Sequence, residues 1–98
     1  MKKIIITFVA ATLSFGALAG DPVAGKAKSM TCAGCHGMNG ISNNGMWPNL
    51  AGRKEPYLAS QLRLFRDGKR NNAMMTAMAK GLSDTDIANL AAYYASLK

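Results

Sequence analysis

Cys32-Ala33-Gly34-Cys35-His36 is the stretch on which the reading of this chain turns. Cys-x-x-Cys-His offers two thiols at a spacing that lets each add to one vinyl group of a haem. The imidazole that follows is then placed to ligate the iron from one side. Other uses of these residue types account for less of the pattern. Structural zinc needs four ligands, and the whole chain holds two cysteines and one histidine. A thioredoxin-like dithiol belongs next to a βαβ pattern, and little in this sequence reads as strand. A plain disulfide would close a very small loop and would leave His36 without a purpose.

Upstream of the motif, Lys2 and Lys3 precede an almost wholly apolar run from Ile4 to Leu18, which ends in Ala17-Leu18-Ala19. This is the layout of a secretory signal peptide, residues 1–19, with cleavage between Ala19 and Gly20. The run is short for a transmembrane anchor. No cysteine follows the cut, so a lipid anchor there is not expected. The mature chain is then a single domain, residues 20–98. Without Lys2 and Lys3 its formal charge falls from +7 to +5. A chain of 79 residues buries only a thin core and is in the size range that leans on staples, metals or cofactors. A haem answers that need by bringing a large apolar face for the chain to wrap.

Downstream, three main helices are expected, joined by loops. Asp21 is placed to cap a helix whose first turn holds Pro22, running to about Cys32 or Ala33. Gly34 to Gly52 is rich in Gly and Asn and reads as a loop. Pro56 opens the second helix, with Leu58, Gln61, Leu62 and Phe65 on one side and Gly68 as a stop. Lys69 to Leu82 reads as a second loop. Ser83 with Asp86 forms a capping-box pattern for the last helix, where Ile87, Leu90, Ala91, Tyr94 and Leu97 recur at helical spacing.

The sixth iron position needs a donor, and no second histidine exists. Methionine is the natural donor, since His/Met ligation raises the potential of a haem of this kind. Met30 and Met38 lie too close to the motif to reach the opposite haem face, and Met46 sits in the loop on the His36 side. Met74, Met75 and Met78 remain. Flexible core filling is the ordinary use of methionine and accounts for the others of the three. Arg53, Lys54, Arg63, Arg66, Lys69 and Arg70 form the densest positive charge. As a docking surface they would raise encounter rates with an acidic partner, some of them would neutralise haem propionates, and otherwise they are a solvated helix face.

The ordered set of local patterns resembles the class I cytochromes c, and more narrowly the small periplasmic cytochromes similar to one half of the dihaem c-four type. Its parts are Gly25 ahead of Cys32-Ala33-Gly34-Cys35-His36-Gly37, then Trp47-Pro48-Asn49-Leu50-Ala51-Gly52, Tyr57-Leu58 with Gln61-Leu62, Met75-Thr76-Ala77-Met78, and Leu82-Ser83-Asp84 leading to Leu90-Ala91-Ala92-Tyr93-Tyr94. The resemblance implies an all-α, class I cytochrome c fold with three main helices around one covalent haem c. It implies Cys32 and Cys35 as the attachment points, His36 and Met75 as the axial ligands, and Met78 or Met74 as the alternatives to Met75. It also implies that the Pro48 carbonyl accepts a hydrogen bond from the His36 ring, and that Gly25 lets the first helix cross the last near Leu90 and Tyr93.

The expected function is that of a soluble, monomeric, periplasmic electron carrier with acidic redox partners, not an enzyme and not a nucleic-acid binder. The alternative from another class is a haem-based sensor or small-gas binder with a labile sixth ligand. A haem-free disulfide or metal-binding module is a further rival.

Overall fold

The structure is a computed structural model that describes residues 20–97. The signal-peptide reading falls on residues 1–19, outside the described residues. All regular structure among the described residues is helical, and no helix there is long and apolar enough to cross a membrane.

Two short helices lie where one was expected. Asp21 accepts the Val23 amide at 2.9 Å and Pro22 occupies the first turn of α1, Pro22–Lys28. At Ser29 the hydroxyl bonds back to the Lys26 carbonyl at 2.7 Å, a side chain competing with the backbone for the helical acceptor. The chain resumes at once as α2, Met30–His36. This carries the helix through Gly34, where the sequence predicts a loop. The helix stops instead at Gly37, where φ is +89° and the amide closes on the Ala33 carbonyl at 2.9 Å. A glycine inside a helix costs only about 1 kcal/mol, so Gly34 does not end it, whereas the positive-φ backbone that Gly37 permits does.

The second expected helix is α3, Glu55–Arg66, with Leu58 and Phe65 buried, Gln61 and Leu62 half-buried, and Gly68 at φ +73° beyond its end. The supposed loop after it holds α4, Ala73–Ala79. Alanine and methionine are good helix formers, and Asn72 caps the segment. At seven residues the helix is too short to give a clear periodic signal. The last helix, α5, Asp84–Ser96, opens on the full capping box: the Asp86 amide donates to Ser83 Oγ and the Ser83 amide to Asp86 Oδ2, both at 3.0 Å.

Helix α5 is the centre of the molecule, packed by α1 on one side and α3 on another, with α4 against α3. Ile87, Leu90 and Ala91 are almost completely shielded, and Leu58, Tyr93 and Tyr94 close the core around them. The α1–α5 crossing depends on Gly25. A Cβ there would overlap the Asn89 backbone carbonyl and lie 2.8 Å from Tyr93 Cβ. The contact is thus with Asn89 and Tyr93, one position from the expected Leu90. The crossing is tied by the Asp21 amide to Asn89 Oδ1 at 2.8 Å and by Lys28 to Asp86 at 3.4 Å.

The start of α5 also carries an acid-sensitive contribution. The Ser83 amide, helped by Lys28, holds the Asp86 carboxyl below its ordinary range, and the Arg66 guanidinium at 2.7 Å does the same for Asp84. Groups with depressed folded values stabilise the fold above their unfolded value, near pH 4, and lose that contribution as pH falls through the folded value. Thermal midpoints should therefore be level from pH 7 to about 5 and fall below pH 4. Asp86→Asn should flatten part of that fall, and an unchanged acid limb would remove Asp86 from the explanation.

Candidate functional site

On one turn of α2, Cys32, Cys35 and His36 stand at i, i+3 and i+4, so all three side chains leave from one face. Neither cysteine is part of a disulfide. Cys32 packs against the core beside Leu58 and Tyr94, and before haem attachment burial pushes its thiol pKa up. Burial also raises that of Tyr94.

His36 is only 7% exposed, and its Nδ1 lies 2.8 Å from the Pro48 carbonyl oxygen. A carbonyl can only accept, so Nδ1 carries the proton, and Nε2 is the ring nitrogen left to serve as a ligand. Pro48 reaches this point because the loop folds back on itself. The Leu50 amide donates to Gly40 O at 2.7 Å and the Gly52 amide to Tyr94 O at 2.9 Å. Trp47, in the same loop, is half-buried.

Facing α2 across a small apolar cleft is α4. Thr31, Cys32, Leu62, Met75, Met78, Ala79 and Leu82 line the cleft. Of the three candidate methionines the structure therefore brings two to Cys32. Met75 is half-buried and Met78 is 46% exposed, while Met74 is 55% exposed and takes no part in the lining. Asn72 was missed by sequence reasoning although an Asn ahead of Ala-Met-Met is a legible cap: its Oδ1 accepts the Met75 amide at 3.0 Å.

This donor set fits a covalent haem. Two cysteines outside any disulfide share a helix face with an imidazole whose outer nitrogen is already engaged, and soft thioether sulfurs stand on an apolar wall beside one of those cysteines. Nothing in the group requires a further metal. Among the described residues no three His, Cys, Asp or Glu side chains are grouped so that they could by themselves hold a metal ion.

The basic residues do not form one uniform surface. Arg66 is half-buried and held by Asp84 at 2.7 Å and Asp67 at 3.0 Å. Arg70 lies over the Phe65 ring, 4.6 Å from its centroid, and donates to Gln61. Arg53 Nε donates to the Asn49 carbonyl at 2.6 Å. Lys54, Arg63 and Lys69 are exposed and make no ion pair among the described residues. An open groove is lined by Lys69, Arg70, Asn72, Thr76 and Lys80, among others, with no carboxylate in its wall.

Comparison with known proteins agrees with this geometry. The chain is similar to cytochrome c-554(548) of Halomonas halodenitrificans, 51% identical over 81 residues, which is 80% of this chain and 98% of that protein. It is 50% identical over 72 residues to the thiosulfate dehydrogenase electron acceptor of Thiomonas intermedia, covering 72% of this chain but 33% of that protein. The crystal structure of reduced recombinant cytochrome c4 from Pseudomonas stutzeri superposes with a TM-score of 0.78 at 39% identity, over 82% of this chain and 47% of that one. The chain thus spans about half or less of the longer relatives, and nearly all of the short one. The family model for cytochrome c matches residues 22–98. With its all-helical fold and its paired cysteines followed by histidine, the chain belongs to the cytochrome c family and carries covalent haem c.

Proposed function

We propose that this protein is an exported, soluble, monohaem electron carrier of the periplasm, with His36 and Met75 as axial ligands and acidic redox proteins as partners. The observation that carries the reading is the pairing of sites. His36 is oriented by Pro48 at 2.8 Å, and Met75 stands on the wall of the cleft that also holds Cys32. Held on Cys32 and Cys35, the haem supplies a one-electron ferrous/ferric couple. The protein's part is to set how easily that couple turns over.

The hydrogen bond from His36 Nδ1 to Pro48 fixes the ring plane and strengthens Nε2 as a donor. The Met75 thioether favours the reduced state relative to a second nitrogen ligand. Leu62, Ala79 and Leu82 keep water from the cleft, so little solvent must reorganise when charge changes. With His36 and Met75 both committed as ligands, no open position would remain for a substrate, which is why an electron carrier is preferred to an enzyme. Residues 1–19 serve export and are removed.

An optical spectrum of periplasm-expressed protein tests the assignment. Covalent haem shows in a pyridine haemochrome assay, and an Fe–S absorption band in the oxidised state reports a methionine ligand. Absence of that band together with ready carbon monoxide binding at neutral pH would return the reading to a sensor with a labile sixth position.

For docking, Lys54, Arg63 and Lys69 are the groups left available to a partner, whereas Arg66 is already engaged by its own carboxylates. Electrostatic steering raises encounter rates by ten- to a thousandfold and is screened by salt. Reduction rates with an acidic partner should fall at least about tenfold between low ionic strength and 0.5 M salt. Lys54→Glu with Lys69→Glu should reproduce the fall at low salt, and Arg66→Glu should lower stability more than rate. Rates level across ionic strength would make these side chains ordinary surface.

A further inference from the structure

The segment that joins α3 to α4 is anchored at both ends. At its start the amides of Lys69 and Arg70 both donate to the Leu64 carbonyl, at 2.8 and 3.1 Å. The Arg70 side chain lies back over Phe65 and bonds Gln61, which fixes the turn against α3. At its far end Asn72 is extended, with φ −165°, and its Oδ1 accepts the Met75 amide at 3.0 Å. The Asn72 carbonyl accepts the Thr76 amide at 2.9 Å, the first helical bond of α4.

The first amides of any helix lack helical acceptors and need outside partners. In α4 the amide satisfied by a side chain is that of Met75 itself. A seven-residue helix is far too short to hold its shape alone. Its geometry therefore depends on packing against α3 and on this cap.

We infer that Asn72 is a positioning residue for the sixth ligand: its side-chain oxygen holds the Met75 backbone where the thioether faces the cleft. The inference rests on the reading of Met75 as the axial ligand. When methionine leaves the iron, the first turn of α4 is free to loosen and the cap is given up. The cap thus stabilises the methionine-bound state selectively.

Titrating the oxidised holoprotein with imidazole reads this balance, because imidazole takes the position methionine must vacate. Its apparent dissociation constant varies inversely with the vacated fraction. Loss of a side-chain cap ordinarily shifts such an equilibrium about fivefold. Asn72→Ala is therefore expected to bind imidazole about fivefold more tightly, and Asn72→Asp, which keeps an acceptor oxygen, to stay near wild type. Ser83→Ala removes the same kind of cap from α5; it should lower the unfolding midpoint while leaving imidazole affinity unchanged.

Affinity in Asn72→Ala within about twofold of wild type overturns the inference, as does an equal rise in Ser83→Ala, which would mark general loosening. Met75→Ala and Met78→Ala separate the two layers. Much tighter imidazole binding in Met78→Ala, with Met75→Ala like wild type, ends the ligand reading and the Asn72 inference together. The opposite pattern with a silent Asn72→Ala ends the Asn72 inference alone.

Discussion

Met75→Ala is expected to abolish the Fe–S absorption band of the oxidised protein and to lower its reduction potential, while Met74→Ala and Met78→Ala keep both. The three side chains are chemically identical, so the discrimination is geometric. Met74 lies outside the cleft lining and is more than half exposed, so its loss removes nothing from the site. Met75 and Met78 share the wall with Cys32, but Met75 is the more enclosed and has its amide fixed by Asn72. Met78 stands one turn further along, nearly half exposed, where a flexible thioether serves as packing.

The expected fall in potential exceeds about 59 mV, the equivalent of a tenfold change in a one-electron equilibrium. That direction follows because the methionine ligand is what raises the potential of such a haem. Potentiometric titration with the optical band as readout checks both parts. A band that survives in Met75→Ala and vanishes in Met78→Ala would move the ligand by one turn of α4.

Gly25→Ala is expected to destabilise the holoprotein by about 2 kcal/mol or more, against the general trend for glycine inside a helix. Replacing a helical glycine by alanine at an open position ordinarily gains about 0.5–1 kcal/mol. At Gly25 the added methyl would overlap the Asn89 carbonyl and press on Tyr93 Cβ. A backbone carbonyl in the middle of α5 cannot turn aside, so the helices must separate. Separation would also disturb the bond from the Asp21 amide to Asn89. Overpacking of this kind costs about 1–3 kcal/mol or more, a large share of the stability of a small domain.

Gly34 supplies the control. It is exposed on α2, and a Cβ built there has no neighbour within 4 Å. Gly34→Ala should be neutral or gain up to about 1 kcal/mol. Guanidinium unfolding of the two variants beside wild type measures the contrast, and equal stabilities would show that the α1–α5 crossing has slack.

Much of the architecture was legible in the chain because the signals are local. Asp21 with Pro22, Pro56, Gly68 and the Ser83–Asp86 pair each mark an end of a helix through groups only a few residues apart. Physical chemistry within one turn suffices to read them. The failures were local too. The chain runs helically through Gly34 because a single glycine costs a helix only about 1 kcal/mol. Helix α4 passed for loop because seven residues hold too few turns to show a period, although its Asn72 cap was there to be read. The Pro48 contact with His36 came only by way of family resemblance, since nothing in the spacing of residues twelve apart implies it.

By itself the sequence determined the helical character of the chain, the placing of two thiols and an imidazole on one helix face, and the lack of any second histidine. These follow from covalent order and short-range geometry. Tertiary structure decided which methionines meet Cys32, which carbonyl Gly25 must clear, and which arginines are spent on Asp84, Asp67, Phe65 and Gln61. Each of those depends on segments distant in the chain. Their meeting is set by how α1, α3 and α4 pack around α5, a matter of shape and buried area that no short window of residues contains.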